Sequence, residues 1–169
     1  MITVGIDPGK SGGLMAVNDK GVVVLKEVMP IKADGTIDSD KLFLLISSVV
    51  GMEDEEEVRF GLEKVHAIFG MSAKSCFQFG MNFQACISAL DIAGARWEFI
   101  QPKTWQKEVF EGMNEIKNSK GKRDTKKMAL MACQRMYPDV DLTPTERATK
   151  AHDGLTDALC IAEYLRRRK

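Results

Sequence analysis

An α/β fold, with five strands in a sheet flanked by helices, is predicted by three features of the sequence. Five short runs are rich in β-branched and aromatic residues. Several segments carry apolar residues at steps of three and four. The two kinds alternate as three strands, helix, strand, helix, strand and then helices.

In the first run Ile2, Val4 and Ile6 alternate, and Asp7-Pro8-Gly9 ends it with turn chemistry, because proline fixes φ and glycine accepts a positive φ. LMAVND and GVVVLKEV follow as a hairpin split by Asn18, Asp19 and Gly21. DSDKLFLLISSVVG has apolar residues at 42, 45, 46 and 49 and Gly51 as a stop, which predicts a helix; MEDEEE is an acidic loop. In VRFGLEKV, Val58, Phe60 and Leu62 alternate and Glu63 arrives at the far end. From Ser75 to Ala93, the residues Cys76, Phe79, Phe83, Cys86, Leu90 and Ala93 predict an amphipathic helix. RWEFIQ is the fifth strand, closed by Pro102, and PKTWQKEVF is a short helix opened by a proline. EGMNEIKNSKGKRDTKK, polar, basic and punctuated by glycine, predicts a loop or mobile segment before a helix from Met128 to Met136. The last helix carries Ala158, Leu159, Ile161, Ala162 and Leu165 and ends in a basic cluster suited to its C-terminal dipole.

The 169 residues fit one domain, residues 1–169, with a substantial core. No apolar run approaches the roughly 18 residues of a membrane span, and no secretory leader pattern opens the chain, so the expected setting is cytoplasmic. Cys76, Cys86, Cys133 and Cys160 show no C-x-x-C pairing and fall in apolar periodic segments, as buried free thiols do. The net charge of zero conceals a split: residues 1–99 carry 9 Lys+Arg against 14 Asp+Glu, and residues 100–169 carry 15 against 10. Such a split suits a basic face for a polyanion, or an ordinary solvated charge run.

GIDPGKSGG contains a Gly-Lys-Ser, yet only three residues separate Gly5 from it where a phosphate-binding P-loop needs four, and a strand follows in place of a helix. What remains is an acid, Asp7, at the mouth of a strand. Glu63 ends the fourth strand likewise, and Asp153 and Asp157 stand four apart at the head of the last helix, on one face. Four converging carboxylates repel one another unless divalent cations sit among them, and Mg²⁺ prefers such oxygen ligands.

DPG on the first strand, LEKV on the fourth and HDGLTDALCIAEY on the last helix resemble the RuvC-type Holliday junction resolvases, most closely their phage and phage-like branch within the ribonuclease H-like superfamily. QPKTWQK after the fifth strand resembles the family too, and the likeness spans nearly the whole chain. It implies a ribonuclease H-like, five-stranded mixed sheet flanked by helices. It also implies metal-dependent endonuclease cleavage of four-way junctions and other branched DNA by a homodimer, with two Mg²⁺ per site and Mn²⁺ as a substitute. Asp7, Glu63 and Asp157 match the family's metal ligands. Many bacterial members place a further ligand three residues before the last acid, where this sequence has Gly154. The HDG pattern offers Asp153, which shares a face with Asp157, while His152 is left to orient water, contact phosphate or cap the helix.

DNA contacts are expected from Lys103, Lys107, Lys117, Lys120, Lys122, Arg123, Lys126 and Lys127, since backbone neutralisation dominates such affinity. Phe69 matches a loop aromatic of the family, placed to stack on a base or else to fill the core. The helix from Ser75 to Ala93 is the expected dimer seam, because Phe77, Met81 and Ile87 add apolar side chains off its main stripe. Rival readings are a ribonuclease H acting on RNA–DNA hybrids and a non-catalytic branched-DNA-binding module. Actin-like and sugar-kinase ATPases share the first glycine-rich turn but need a second such loop, which this chain lacks.

Overall fold

The computed structural model describes residues 1–52, 57–66 and 70–168. Five strands, β1 (Ile2–Asp7), β2 (Gly13–Asn18), β3 (Val23–Val28), β4 (Val58–Glu63) and β5 (Trp97–Ile100), lie in the order β3-β2-β1-β4-β5. The first three pair antiparallel as hairpins; β4 and β5 run parallel to β1, so the sheet is mixed. The helices are α1 (Ser39–Val50), α2 (Ala73–Ile92), α3 (Pro102–Val109), α4 (Thr125–Met136) and α5 (Asp153–Arg167).

Period-two alternation assigns each strand residue a side. Ile2, Val4, Ile6, Leu14, Val58, Phe60 and Leu62 pack with Leu42, Ile46 and Val49 of α1 and Cys86 and Leu90 of α2. Met15 and Val17 face the other way, into the layer built by α3, α4 and α5. Helix α5 is central to that layer: every residue from Gly154 to Leu165 is buried except Asp157. It lies so close to the sheet that a Cβ on Gly5 would meet the Ala158 carbonyl oxygen at 2.0 Å, and one on Gly61 would meet Leu165 at 2.9 Å. Thr3 fastens the contact, donating its hydroxyl to the Ala162 carbonyl at 2.9 Å.

The helix boundaries differ from the periodicity where capping takes over. Helix α2 starts at Ala73, ahead of its apolar stripe, because the Ser72 side chain accepts the Ser75 N–H. Helix α4 starts at Thr125, three residues before Met128, because Asp124 caps it by accepting the Lys127 N–H. Lys126 and Lys127 therefore lie on a helix and not in the loop expected of them. Nor is the rest of that basic segment without structure. Lys117 and Arg123 form a bridge, and Asn118 Oδ1 accepts from the N–H groups of Lys120 and Lys122 around Gly121, whose φ is +71°. Asn18 ties the β2–β3 turn through Lys20, Gly21 and Val22 by the same bonds. Both turns read Asn-x-Lys-Gly, a repetition the composition of the loop concealed.

Glu163 departs from the apolar pattern of α5. Buried, it accepts from the Tyr137 hydroxyl, Arg166 and Arg167, so the terminal arginines serve a buried carboxylate as well as the helix dipole. Cys86, Cys133 and Cys160 are buried and Cys76 half-buried, all as free thiols. Among the described residues no helix is long and apolar enough to cross a membrane.

Candidate active site

Asp7 ends β1 and Glu63 ends β4, and these strands are parallel neighbours with Ile6 opposite Leu62. The acids therefore leave the sheet side by side at the same end. Parity sets their face as well: Gly5 and Gly61, two residues before each acid, lie against α5, so both acids belong to the α5 side. The Asp-Pro-Gly turn holds the first of them, with Asp7 Oδ1 accepting the Gly9 N–H at 3.1 Å.

The head of α5 completes the group. A Cβ on Gly154 would lie 2.2 Å from the Ser11 carbonyl oxygen, so backbone meets backbone there and brings Asp153 and Asp157 beside Asp7. This explains why the position three before Asp157 holds no acid: no side chain fits. His152 occupies the N-cap position without a side-chain capping bond, and its buried Nδ1 has no hydrogen-bond partner. His152 thus caps the helix through its backbone carbonyl, which accepts the Leu155 and Thr156 N–H groups, and not through its side chain.

Burial is the main cause of the acids' altered titration, and their mutual repulsion adds to it. Burial pushes the Asp7 pKa up to about 6, with the Asp153 charge adding and the Gly9 N–H and Lys126 opposing. Glu63 rises to about 7 through burial and the Asp7 charge, against a lowering hydrogen bond from Trp105. Asp157 rises to about 8 through burial and the charges of Asp7, Glu63 and Asp153. Asp153 is exposed and pairs with the Lys126 ammonium, which also feels Asp157 and Asp7.

All four side chains present carboxylate oxygens, the donor type that Mg²⁺ and Mn²⁺ take. Among the described residues no three Asp, Glu, His or Cys side chains are grouped closely enough to hold a metal ion as they stand. Asp7, Glu63 and Asp157 hold their protons more tightly chiefly through burial, and the charges of neighbouring acids add to it. Oxygen donors of this kind are the type that a hard divalent cation takes.

No protein-family model matches the sequence, and no curated protein matches it either. Solved structures do. The Thermus thermophilus RuvC structure matches with a TM-score of 0.62 at 19% identity, covering 99% of this chain and 96% of that one. A second, T. thermophilus RuvC in complex with Holliday junction substrate, matches with a TM-score of 0.62 at 15% identity over the same shares. The fold is that of RuvC.

On this RuvC-type fold the expected DNA contacts fall on three elements. Lys103 and Lys107 are exposed on α3; Lys117, Lys120, Lys122 and Arg123 belong to the turn closed by Asn118; Lys126 and Lys127 open α4. Arg123 also lies over the Phe110 ring, 5.5 Å from its centroid. Lys126 is drawn to Asp153 and so stands with the acids more than with the other lysines. Phe69 lies outside the described residues.

Two residues beside these acids carried little signal of their placement in the sequence. Trp105 looks like core, and is 1% exposed, yet its indole N–H donates to Glu63 Oε1 at 2.9 Å. Its one hint was chemical: a buried indole needs an acceptor, and QPKTWQK follows the strand next to Glu63. Lys126 was legible as basic, but its pairing depends on how α4 crosses the head of α5.

Proposed function

We propose that this protein is a metal-dependent, structure-selective endonuclease that hydrolyses phosphodiesters in Holliday junctions and other branched DNA. The observation that carries the reading is the placing of Asp7 and Glu63 on one face at adjacent parallel strand ends, with Asp157 set beside them by α5, in a fold shared with RuvC over 99% of the chain. Asp7, Glu63 and Asp157, with Asp153 assisting, would hold two Mg²⁺ or Mn²⁺ ions. Bound there, the metal would supply Lewis acidity at the phosphoryl oxygens and lower the pKa of water.

The chain's own part is to hold these oxygens deprotonated and in place. Without a cation the three acids take up protons as the pH falls from about 8 to about 6, so protons would compete with a metal for these oxygens at low pH. Lys126 moderates their repulsion. The turn from Lys117 to Arg123 and the exposed face of α3 would hold DNA through its phosphates, with affinity falling steeply in salt. We place the enzyme as a homodimer, because a two-fold junction calls for paired cuts and cyclic dimers are the commonest assemblies.

The test is a cleavage assay in Mg²⁺ with labelled four-way junction, fork, flap, linear duplex and RNA–DNA hybrid. Junction and branched substrates should be cut while linear duplex is not. Asp7→Asn, Glu63→Gln and Asp157→Asn should each abolish cutting and keep junction binding. Preference for the hybrid would make the protein a ribonuclease H, and binding without cutting under every divalent condition would make it a branched-DNA-binding module.

A further inference from the structure

Glu63 is gripped by a residue outside the group of acids. Trp105 approaches from α3, in the layer it shares with α4 and α5, with its indole N–H 2.9 Å from Glu63 Oε1. The ring is fixed independently of that bond. It is among the largest fully buried side chains, and it packs edge-on to Phe110 with centroids 5.5 Å apart. Phe110 is itself buried, with Arg123 over its ring.

We propose that Trp105 is a positioning residue for Glu63, holding one carboxylate oxygen so that the other stays available to a divalent cation; this rests on the reading of Glu63 as a metal ligand. An indole N–H donates and never accepts, carries no charge, and does not titrate. It therefore orients the carboxylate at every pH without competing as a cation for the site, unlike the lysine paired with Asp153. Rotating Glu63 away would leave a buried N–H without an acceptor, which is costly, so the two side chains hold each other. Partners of this kind beyond the ligands typically change metal affinity about 10–100-fold when removed.

The experiment uses the full chain with Trp97→Phe, which leaves Trp105 as the sole indole of the two in the sequence. Trp105 is then replaced biosynthetically by 3-benzothienylalanine, of nearly the same shape but without the N–H, or by 5-fluorotryptophan, which keeps it. Mn²⁺ affinity is measured by calorimetry above pH 8, and the indole N–H resonance is followed during Mg²⁺ titration. The inference expects the benzothienyl protein to bind Mn²⁺ about 10–100-fold more weakly at nearly unchanged Tm. The fluorotryptophan protein should match the parent, and the indole resonance should move as Mg²⁺ binds. Equal Mn²⁺ affinity with and without the N–H overturns the inference alone, provided Glu63→Gln still weakens Mn²⁺ binding. Should Glu63→Gln bind Mn²⁺ as the parent does, the ligand reading fails and the inference with it.

Discussion

Gly154 and Ser11 are in backbone contact: a Cβ added to Gly154 would stand 2.2 Å from the Ser11 carbonyl oxygen and 2.5 Å from Gly12 Cα. Neither neighbour is the end of a flexible side chain, so the helix or the β1–β2 turn must move. Gly154→Ala should cost about 1–3 kcal/mol, the usual range for overpacking, and shift Asp153 and Asp157 away from Asp7. Denaturant melts should show the loss of stability, and cleavage should drop by more than tenfold even where the protein remains folded. A fully active, fully stable Gly154→Ala protein would contradict the contact.

Protonation of the acids ties stability to pH. The folded state raises Asp157 from 3.8 to about 8, so it binds the proton more tightly than the unfolded chain does. The resulting stability is present in full below about pH 4 and is lost as the pH climbs through about 8. Asp157→Asn removes the loss. At pH 8.5 in chelator the variant should melt higher than the parent by several degrees, on the order of 1–3 kcal/mol, and the gap should close toward pH 4. Mg²⁺ at pH 8.5 should raise the parent's Tm more than the variant's. A variant that melts below its parent at pH 8.5 would refute the arrangement.

The lysines divide by what they face. Lys120 and Lys122 sit on the turn tied by Asn118, whereas Lys126 pairs with Asp153 and feels Asp157 and Asp7. Lys120→Gln with Lys122→Gln should weaken binding to every DNA form and flatten the dependence of log K on log salt by up to about 1.8, two contacts' worth. Lys126→Gln should leave that slope nearly unchanged and instead lower stability above pH 8 in the absence of divalent cations. Equal salt slopes for the two variants would show that Lys126 contacts phosphate as the others do.

The outward face of α2 bears on assembly. The stripe of Cys86 and Leu90 is buried against α1 and the sheet, but toward the N-terminal end Phe77 is 72% and Met81 44% exposed. Covering such side chains gains about 1.5–3 kcal/mol each. Phe77→Glu with Met81→Glu should therefore weaken self-association by more than about a hundredfold and abolish paired cuts in one junction. Sedimentation of the parent as a monomer at micromolar concentration, with and without junction, would exclude the homodimer; an unaltered dimer in the variant would move the seam elsewhere.

The sequence alone determined the five strands, their order among the helices and the strand ends at which Asp7 and Glu63 stand. The reason is that alternation is a local property: Ile2, Val4 and Ile6, and Val58, Phe60 and Leu62, mark two strands whose last residues are the acids. The i, i+4 relation of Asp153 and Asp157 is local in the same sense. What only the tertiary structure decided involves groups far apart in the chain. Trp105 reaches Glu63 across 42 residues, Lys126 reaches Asp153 across 27, and Gly154 is kept bare by a turn more than 140 residues earlier. No periodicity encodes such meetings. They follow from how closely α5 lies on β1 and from where α3 and α4 then cross it, and those distances are set by packing between elements and not within them.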